Sequence, residues 1–276
     1  MVDDHHIRQG DTMSGRLQNK RAIITGGASG IGAASVRKFV AEGAQVVISD
    51  INEALAILLI GECGEDRVTY VECNVGDQSQ VNRMIDQARE WLGGIDILFN
   101  NAGIGCYGET PDLDEQQWHD VINIDLNSVF YSCKKIIPIM RQQGGGAIVN
   151  TASISGLGGD YGMSAYNAAK GAVANYTRTL ALDHARDNIR VNALCPGLVD
   201  TPIISALKRN PDYDAFVKSQ LPAQRPGTPE EMANVAAFLA SDEASYVSGV
   251  NLVVDGAKTA HTGMMNYVQW AGGRPG

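Results

Sequence analysis

A chain of 276 residues is long enough to bury roughly three quarters of its unfolded surface, and it needs neither disulfides nor a metal to hold a core. With 44% hydrophobic residues, a net charge of -9 and a sequence pI near 5.0, it lacks the basic excess that nucleic acid or an anionic membrane surface attracts. Its five cysteines, Cys63, Cys73, Cys106, Cys133 and Cys195, are scattered, odd in number and without a close pair, which argues against a disulfide framework or a zinc site and suits a reducing cytoplasm.

The opening stretch MVDDHHIRQGDTMSG carries acids and no apolar core, so no secretory signal is expected. Residues 1–14 read as a flexible leader; His5 and His6 within it have no further ligand at metal-binding spacing. The longest apolar run, residues 54–60, is far too short to cross a bilayer, and a cytoplasmic protein is expected.

From Arg21 a repeating unit sets in: a short β-branched run, a glycine or polar turn, then a helical period. The pattern predicts a strand at 22–24, a helix at 31–41, a strand at 46–48, a helix at 53–60, a strand at 68–71 and a helix at 78–91. It continues with a strand at 95–99, a long helix at 118–141, a strand at 147–149, a second long helix at 165–185 and a strand at 189–194. A looser segment, 197–226, precedes a helix at 229–240 and a last strand at 250–254. Short apolar strands without alternation are buried on both faces, as in a parallel sheet flanked by helices. Strict alternation with short connections implies right-handed crossovers and an α/β, doubly wound single domain, here residues 15–257. The 54–60 run is apolar for an outer helix; core packing is expected to account for most of it, with a subunit contact as the alternative.

The first strand runs into Thr25-Gly26-Gly27-Ala28-Ser29-Gly30-Ile31-Gly32, and a helix follows at once. Glycines between a buried strand and a helix let backbone amides and the helix N-terminus approach a pyrophosphate. The spacing is not GxGxxG, and a glycine-rich turn is also a common connector. Asp50 then closes the second strand, near the separation at which an acid accepts the ribose hydroxyls of NAD. A 2′-phosphate would be repelled by Asp50, and Ala28, Ser29 and Ile51 offer no cation, so NAD is expected over NADP unless Arg37 or Lys38 reaches inward.

Tyr166 and Lys170 stand four residues apart on a predicted helix and therefore share a face. A cation beside a phenol favours the phenolate, which makes the tyrosine an acid or base for an alcohol. Taken alone, the pair also fits a core tyrosine and a surface lysine. Ser153, at the end of the fifth predicted strand, adds a hydroxyl that can hold an oxygen.

TGGASGIG, Asn100-Asn101-Ala102-Gly103, Ser153 with Tyr166-Asn167-Ala168-Ala169-Lys170, and Pro196-Gly197 with Thr201 together resemble the short-chain dehydrogenase/reductase family, over about residues 15–256. The resemblance implies a single seven-stranded Rossmann-like sheet and reversible, nicotinamide-dependent oxidation of an alcohol. It implies that Gly26, Ser29, Gly30, Ile31 and Gly32 line the pyrophosphate, that Asp50 and Ile51 meet the adenosine, and that Asn74-Val75 flanks the adenine. It further implies that Asn101, Ala102 and Gly103 support the adenosine side, and that Pro196, Gly197, Val199 and Thr201 contact the nicotinamide. Tyr166 would exchange the proton, Lys170 would lower its pKa and hold the ribose, and Ser153 would bind the substrate oxygen. Asn74 stands where the family usually has an acid.

The family also carries an asparagine in the helix before the fifth strand, linking the lysine to solvent through water. Aligned on its apolar frame, Ile122-Asn123-Ile124-Asp125-Leu126-Asn127-Ser128 puts Asp125 at that position. A carboxylate near Lys170 would offset the cation and push the phenol back up, so an alkaline-shifted enzyme is expected.

Residues 104–108 and 154–163, expected around the reacting carbon, contain no Lys or Arg, and Leu198, Ile203 and Ile204 begin an apolar lid over about 198–226. A neutral secondary alcohol or ketone, cyclic or aromatic, is therefore the expected partner, with Lys208 and Arg209 as solvated lid residues. The tail, 258–276, adds His261, Met264, Met265, Tyr267 and Trp270, which suggests a subunit or cleft contact. The resemblance implies a homotetramer or homodimer. Two other readings are a 3-oxoacyl reductase-type biosynthetic enzyme, set back by Asp50 and the missing basic patch, and an NAD-binding scaffold impaired through Asp125.

Overall fold

The computed structural model describes residues 15–205 and 207–273; the predicted leader lies outside the described residues. Seven strands form one sheet in the order β3-β2-β1-β4-β5-β6-β7, every neighbouring pair parallel. They are β1 (Arg21–Thr25), β2 (Gln45–Asp50), β3 (Val68–Glu72), β4 (Ile97–Asn100), β5 (Gly146–Thr151), β6 (Ile189–Pro196) and β7 (Asn251–Val254). The chain steps outward from β1 to β3 and then returns to β4 on its other side. That reversal opens a crevice at the carboxyl ends of β1 and β4, where ligands of doubly wound sheets bind.

The helices are α1 (Gly30–Ala41), α2 (Glu53–Cys63), α3 (Gln78–Leu92), α4 (Glu115–Val121), α5 (Ser128–Gln143), α6 (Ser164–His184), α7 (Tyr213–Gln220), α8 (Pro229–Ala240) and α9 (Tyr267–Trp270). Two apolar cores flank the sheet. On one face Val36 and Phe39 of α1 and Ala236 and Ala237 of α8 close on Ile24, Ile48 and Phe99. On the other Met84 and Ile85 of α3, Ile136 and Met140 of α5 and Val173 of α6 close on Ile23, Leu98 and Ile148. The central strands are apolar on both sides because both sides are covered.

Three features depart from the sequence reading. The predicted helix 118–141 is not uniform: α4 passes through a wide π turn, Ile122–Asn127, into α5. The segment 197–226 contains α7. In α2 only Ala56 and Leu59 are buried, whereas Leu55, Ile57 and Leu58 face solvent, so core packing does not account for the 54–60 run. All five cysteines are free. Among the described residues no helix is long and apolar enough to cross a membrane, and no cluster of metal-ligating side chains occurs.

Candidate active site

The loop after β1 is shaped by contacts that only glycine permits. Gly26 has a positive φ of 61°, and a Cβ there would meet Ala102 Cα at 2.8 Å; a Cβ on Gly32 would lie 1.9 Å from the Gly26 carbonyl oxygen. Ser29 precedes α1 without capping it through its side chain, and the first turn of α1 holds no acid. The free first-turn N–H groups of α1 therefore face an open loop, which fits a pyrophosphate. Gly30 and Ile31 begin α1, and a Cβ on Gly30 would sit 3.4 Å from Thr201 Cγ2, so the segment after β6 passes directly over this loop.

Asp50 ends β2 with both oxygens engaged: Oδ2 accepts from the Ala28 N–H and Oδ1 from the Asn52 N–H, each at 3.0 Å. Its carboxylate is thereby fixed beside the phosphate loop, with Ile51 exposed next to it. The two cations nearest in sequence are occupied elsewhere, Arg37 with Glu62 at 2.7 Å and Lys38 with Glu42 at 2.6 Å. Asn74 accepts from the Gly76 N–H through Oδ1, and Val75 beside it is buried. Asn101 donates to the Thr25 and Gly26 carbonyls, while Thr25 Oγ1 accepts from the Asn101 and Ala102 N–H groups, which pins the ends of β1 and β4 together. Pro196 closes β6, Gly197 packs on Asp255 where no Cβ would fit, and Val199 is buried.

Ser153 follows β5 in extended backbone and is buried; its Oγ accepts from the Ser155 N–H at 3.1 Å, which leaves its own hydrogen free to donate. The turn after it lies on α6, because Gly156 has no Cβ to strike the Lys170 carbonyl. Tyr166 is half-buried on α6, and Lys170 Nζ stands 5.6 Å from its ring centroid. Lys170 is buried and donates to the Thr151 carbonyl at 2.9 Å. Asp125, wholly buried in the π turn, accepts from the Ile104 N–H at 2.8 Å through Oδ1 and forms an ion pair with Lys170 at 3.1 Å through Oδ2. Oδ2 has no well-aligned hydrogen-bond donor, so its burial is offset by charge alone.

These charges compete at the phenol. Burial pushes the Tyr166 hydroxyl above its ordinary value; Lys170 pulls it down, Asp125 pushes it up again and Ser153 draws it down, leaving it raised. Burial acts to lower Lys170, but Asp125 and Tyr166 outweigh it and hold the ammonium charged. Burial raises Asp125 against the pull of Lys170 and of the Ile104 amide, and the 3.1 Å contact selects the ionised pair.

The sequence reading placed Thr25 in the glycine loop and residue 104 in a wall of the cleft, but it gave neither these nor Thr151 a role of its own. Thr151 and Ile104 act through backbone atoms and leave no side-chain signal; Thr25, as the last polar residue of a buried strand, was detectable. The walls beside Tyr166 are joined where the Gly108 N–H donates to Gly162 O at 2.9 Å. They carry apolar side chains, among them Tyr107 and Leu157, and Ile203 and Leu207 in the segment after β6 are exposed as well. Lys208 is ion-paired with Asp200. A separate surface cavity of about 310 Å³, lined by Leu113, Trp118 and Ser164, holds none of Ser153, Tyr166 or Lys170.

The family model described as Enoyl-(Acyl carrier protein) reductase matches residues 26–258. The chain belongs to the short-chain dehydrogenase/reductase family. It is 40% identical to meso-2,3-butanediol dehydrogenase of Serratia marcescens over 253 residues, covering 92% of this chain and 100% of that one. It is 39% identical to cyclohexanol dehydrogenase of Acinetobacter sp. over 251 residues, 90% and 98% of the two chains. Among solved structures, a putative short-chain dehydrogenase/reductase from Burkholderia xenovorans superposes with a TM-score of 0.83 at 37% identity, over 90% of this chain and 99% of that chain. The chain is thus an oxidoreductase of the Rossmann-like class, with a family that uses a nicotinamide cofactor.

Proposed function

We propose that this oxidoreductase couples NAD(H) to a neutral, apolar secondary alcohol or its ketone, with Tyr166 as acid and base. The observation that carries the reading is the convergence of Ser153, Tyr166 and Lys170 at the crevice between β1 and β4, beside the glycine loop. Bound in that crevice, the nicotinamide would supply the acceptor or donor of the hydride. Ser153 donates to the substrate oxygen, Tyr166 takes the hydroxyl proton during oxidation or returns it during reduction, and Lys170 carries the charge that favours the phenolate.

Asp50 supports NAD, since its fixed carboxylate suits ribose hydroxyls and repels a 2′-phosphate while Arg37 and Lys38 are tied to other acids. Gly26, Ser29, Gly30, Ile31 and Gly32 would take the pyrophosphate, Ile51, Asn74 and Val75 the adenine, and Pro196, Gly197, Val199 and Thr201 the nicotinamide. The apolar walls, and a lysine in the segment after β6 that is already paired with Asp200, favour an uncharged substrate. The names of the butanediol and cyclohexanol relatives agree with this class.

A panel of linear and cyclic secondary alcohols, matched with carboxylated and phosphorylated analogues and followed by NADH absorbance, tests the reading. Turnover of the uncharged members with NAD is expected. Faster turnover of the charged analogues, or of all members with NADP, would overturn it.

A further inference from the structure

Asp125 is a buried carboxylate that the proton transfer just described does not use. It is inserted by the π turn Ile122–Asn127, whose wider winding lets α4 and α5 continue on either side of one inward-pointing acid. Lys170 has three donors: one goes to the Thr151 carbonyl, one side of the ammonium faces Asp125 Oδ2, and the remainder is left for a ribose. The pair meets against Gly103, where a Cβ would lie 3.1 Å from Oδ2 and 3.3 Å from Nζ. Gly103 has ordinary backbone, so a side chain there would be opposed by this close approach and not by conformation.

The titratable groups facing Tyr166 are few. Lys170 comes from its own helix, Asp125 from the π turn, and Tyr107 and Cys106 from the loop at 104–108; Cys195 of β6 faces Lys170. Burial pushes Cys195 up to about 11 and raises Cys106 as well, so both remain uncharged thiols in the working range. Asp125 is therefore the one carboxylate acting on the phenol among the described residues.

We propose that Asp125 is the buried counter-charge of Lys170, a positioning residue that cancels part of the ammonium's field at Tyr166 and thereby moves the enzyme's working range to alkaline pH. The inference rests on Tyr166 being the acid and base. An asparagine at this position would keep one oxygen, for the Ile104 N–H or for Lys170 but not for both, and would remove the charge. The sign follows: oxidation needs the phenolate, so an acid that disfavours the phenolate delays activity to higher pH.

The test compares wild type, Asp125→Asn and Tyr166→Phe by the pH dependence of kcat/KM for alcohol oxidation and by ultraviolet difference titration of tyrosinate. In Asp125→Asn the rising limb shifts to lower pH, oxidation at neutral pH becomes several-fold faster, and the phenolate signal missing from Tyr166→Phe appears at lower pH. A limb and a phenolate titration that stay in place, or move to higher pH, would overturn the inference; so would a uniform rate loss at every pH, the mark of a merely structural residue. If Tyr166→Phe retains turnover, the site reading itself fails; if it is inactive while Asp125→Asn leaves the limb unmoved, only this inference fails. Should Asp125→Asn not fold, Asp125→Ser removes the charge with a smaller side chain: the limb must then move the same way, and an unmoved limb contradicts the proposal.

Discussion

Lys170 is held by a carbonyl and a carboxylate that water cannot replace. Removing its charge strands Asp125, and breaking a buried pair from one side costs about 3–5 kcal/mol. Lys170→Met is therefore expected to lower the free energy of unfolding in denaturant by that order, and Asp125→Asn combined with Lys170→Met to recover most of the loss. Asp50→Ala removes the ribose acceptor and the negative field together; the ratio of NADP to NAD dissociation constants is expected to fall by about tenfold or more, the worth of one charge-assisted hydrogen bond. An unchanged ratio in calorimetric titration would remove Asp50 from cofactor choice. At this scale the sequence was informative wherever chemistry resides in a side chain. The Tyr166–Lys170 spacing, Ser153 and the placement of Asp125 against an apolar frame were all legible, whereas Thr151 and Ile104 contribute backbone atoms that any residue possesses.

Glycine contacts and helix caps decide how the elements meet. With a Cβ on Gly32 only 1.9 Å from the Gly26 carbonyl, Gly32→Ala must distort the loop after β1, and NAD affinity is expected to drop at least tenfold while the far side of the sheet stays folded. α8 begins with a reciprocal cap: Thr228 Oγ1 accepts from the Glu231 N–H, and Glu231 accepts from the Thr228 N–H. Thr228→Ala should cost about 1 kcal/mol in a denaturant titration. The doubly wound class was legible from βα alternation, which leaves few allowed windings, whereas the strand order came only with the structure. The π turn escaped the sequence reading since its apolar pattern resembles a continuous helix, and the partners of Asp125, Lys170 and the Ile104 N–H, are distant in sequence. α7 escaped because YDAFVKSQ is two turns long and packs mainly through Val217.

Across the whole molecule, acid titration should weaken the fold through exposed ion pairs. Glu231, hydrogen-bonded to Arg225, and Asp187, hydrogen-bonded to Arg141 and His184, are both held down to about 2. Their folded values lie below the unfolded ones, so their contribution is present above the ordinary carboxylate range and is lost as pH falls from about 4 towards 2. Glu231 is exposed and Asp187 is paired with the exposed Arg141, so each contributes little, and thermal scans should show a shallow decline through that window. Leu182 on α6, Phe130 on α5 and the exposed apolar face of α2 fit the homo-oligomer suggested by the resemblance, which light scattering would reveal as a mass above the 29.4 kDa of one chain. In the tail, Met264, Met265, Tyr267 and Trp270 are exposed on the single chain, and Lys258 donates to Gln220 of α7.

The fold and the crevice bring Ser153, Tyr166 and Lys170 to one place, and the account stands on the phenol of Tyr166 moving the proton. Tyr166→Phe keeps the ring and removes the hydroxyl. Measured with NAD and a cyclic secondary alcohol, its kcat should fall at least a hundredfold and up to about ten-thousandfold, with NAD affinity by fluorescence titration close to wild type. Turnover retained within a few-fold of wild type would contradict the account.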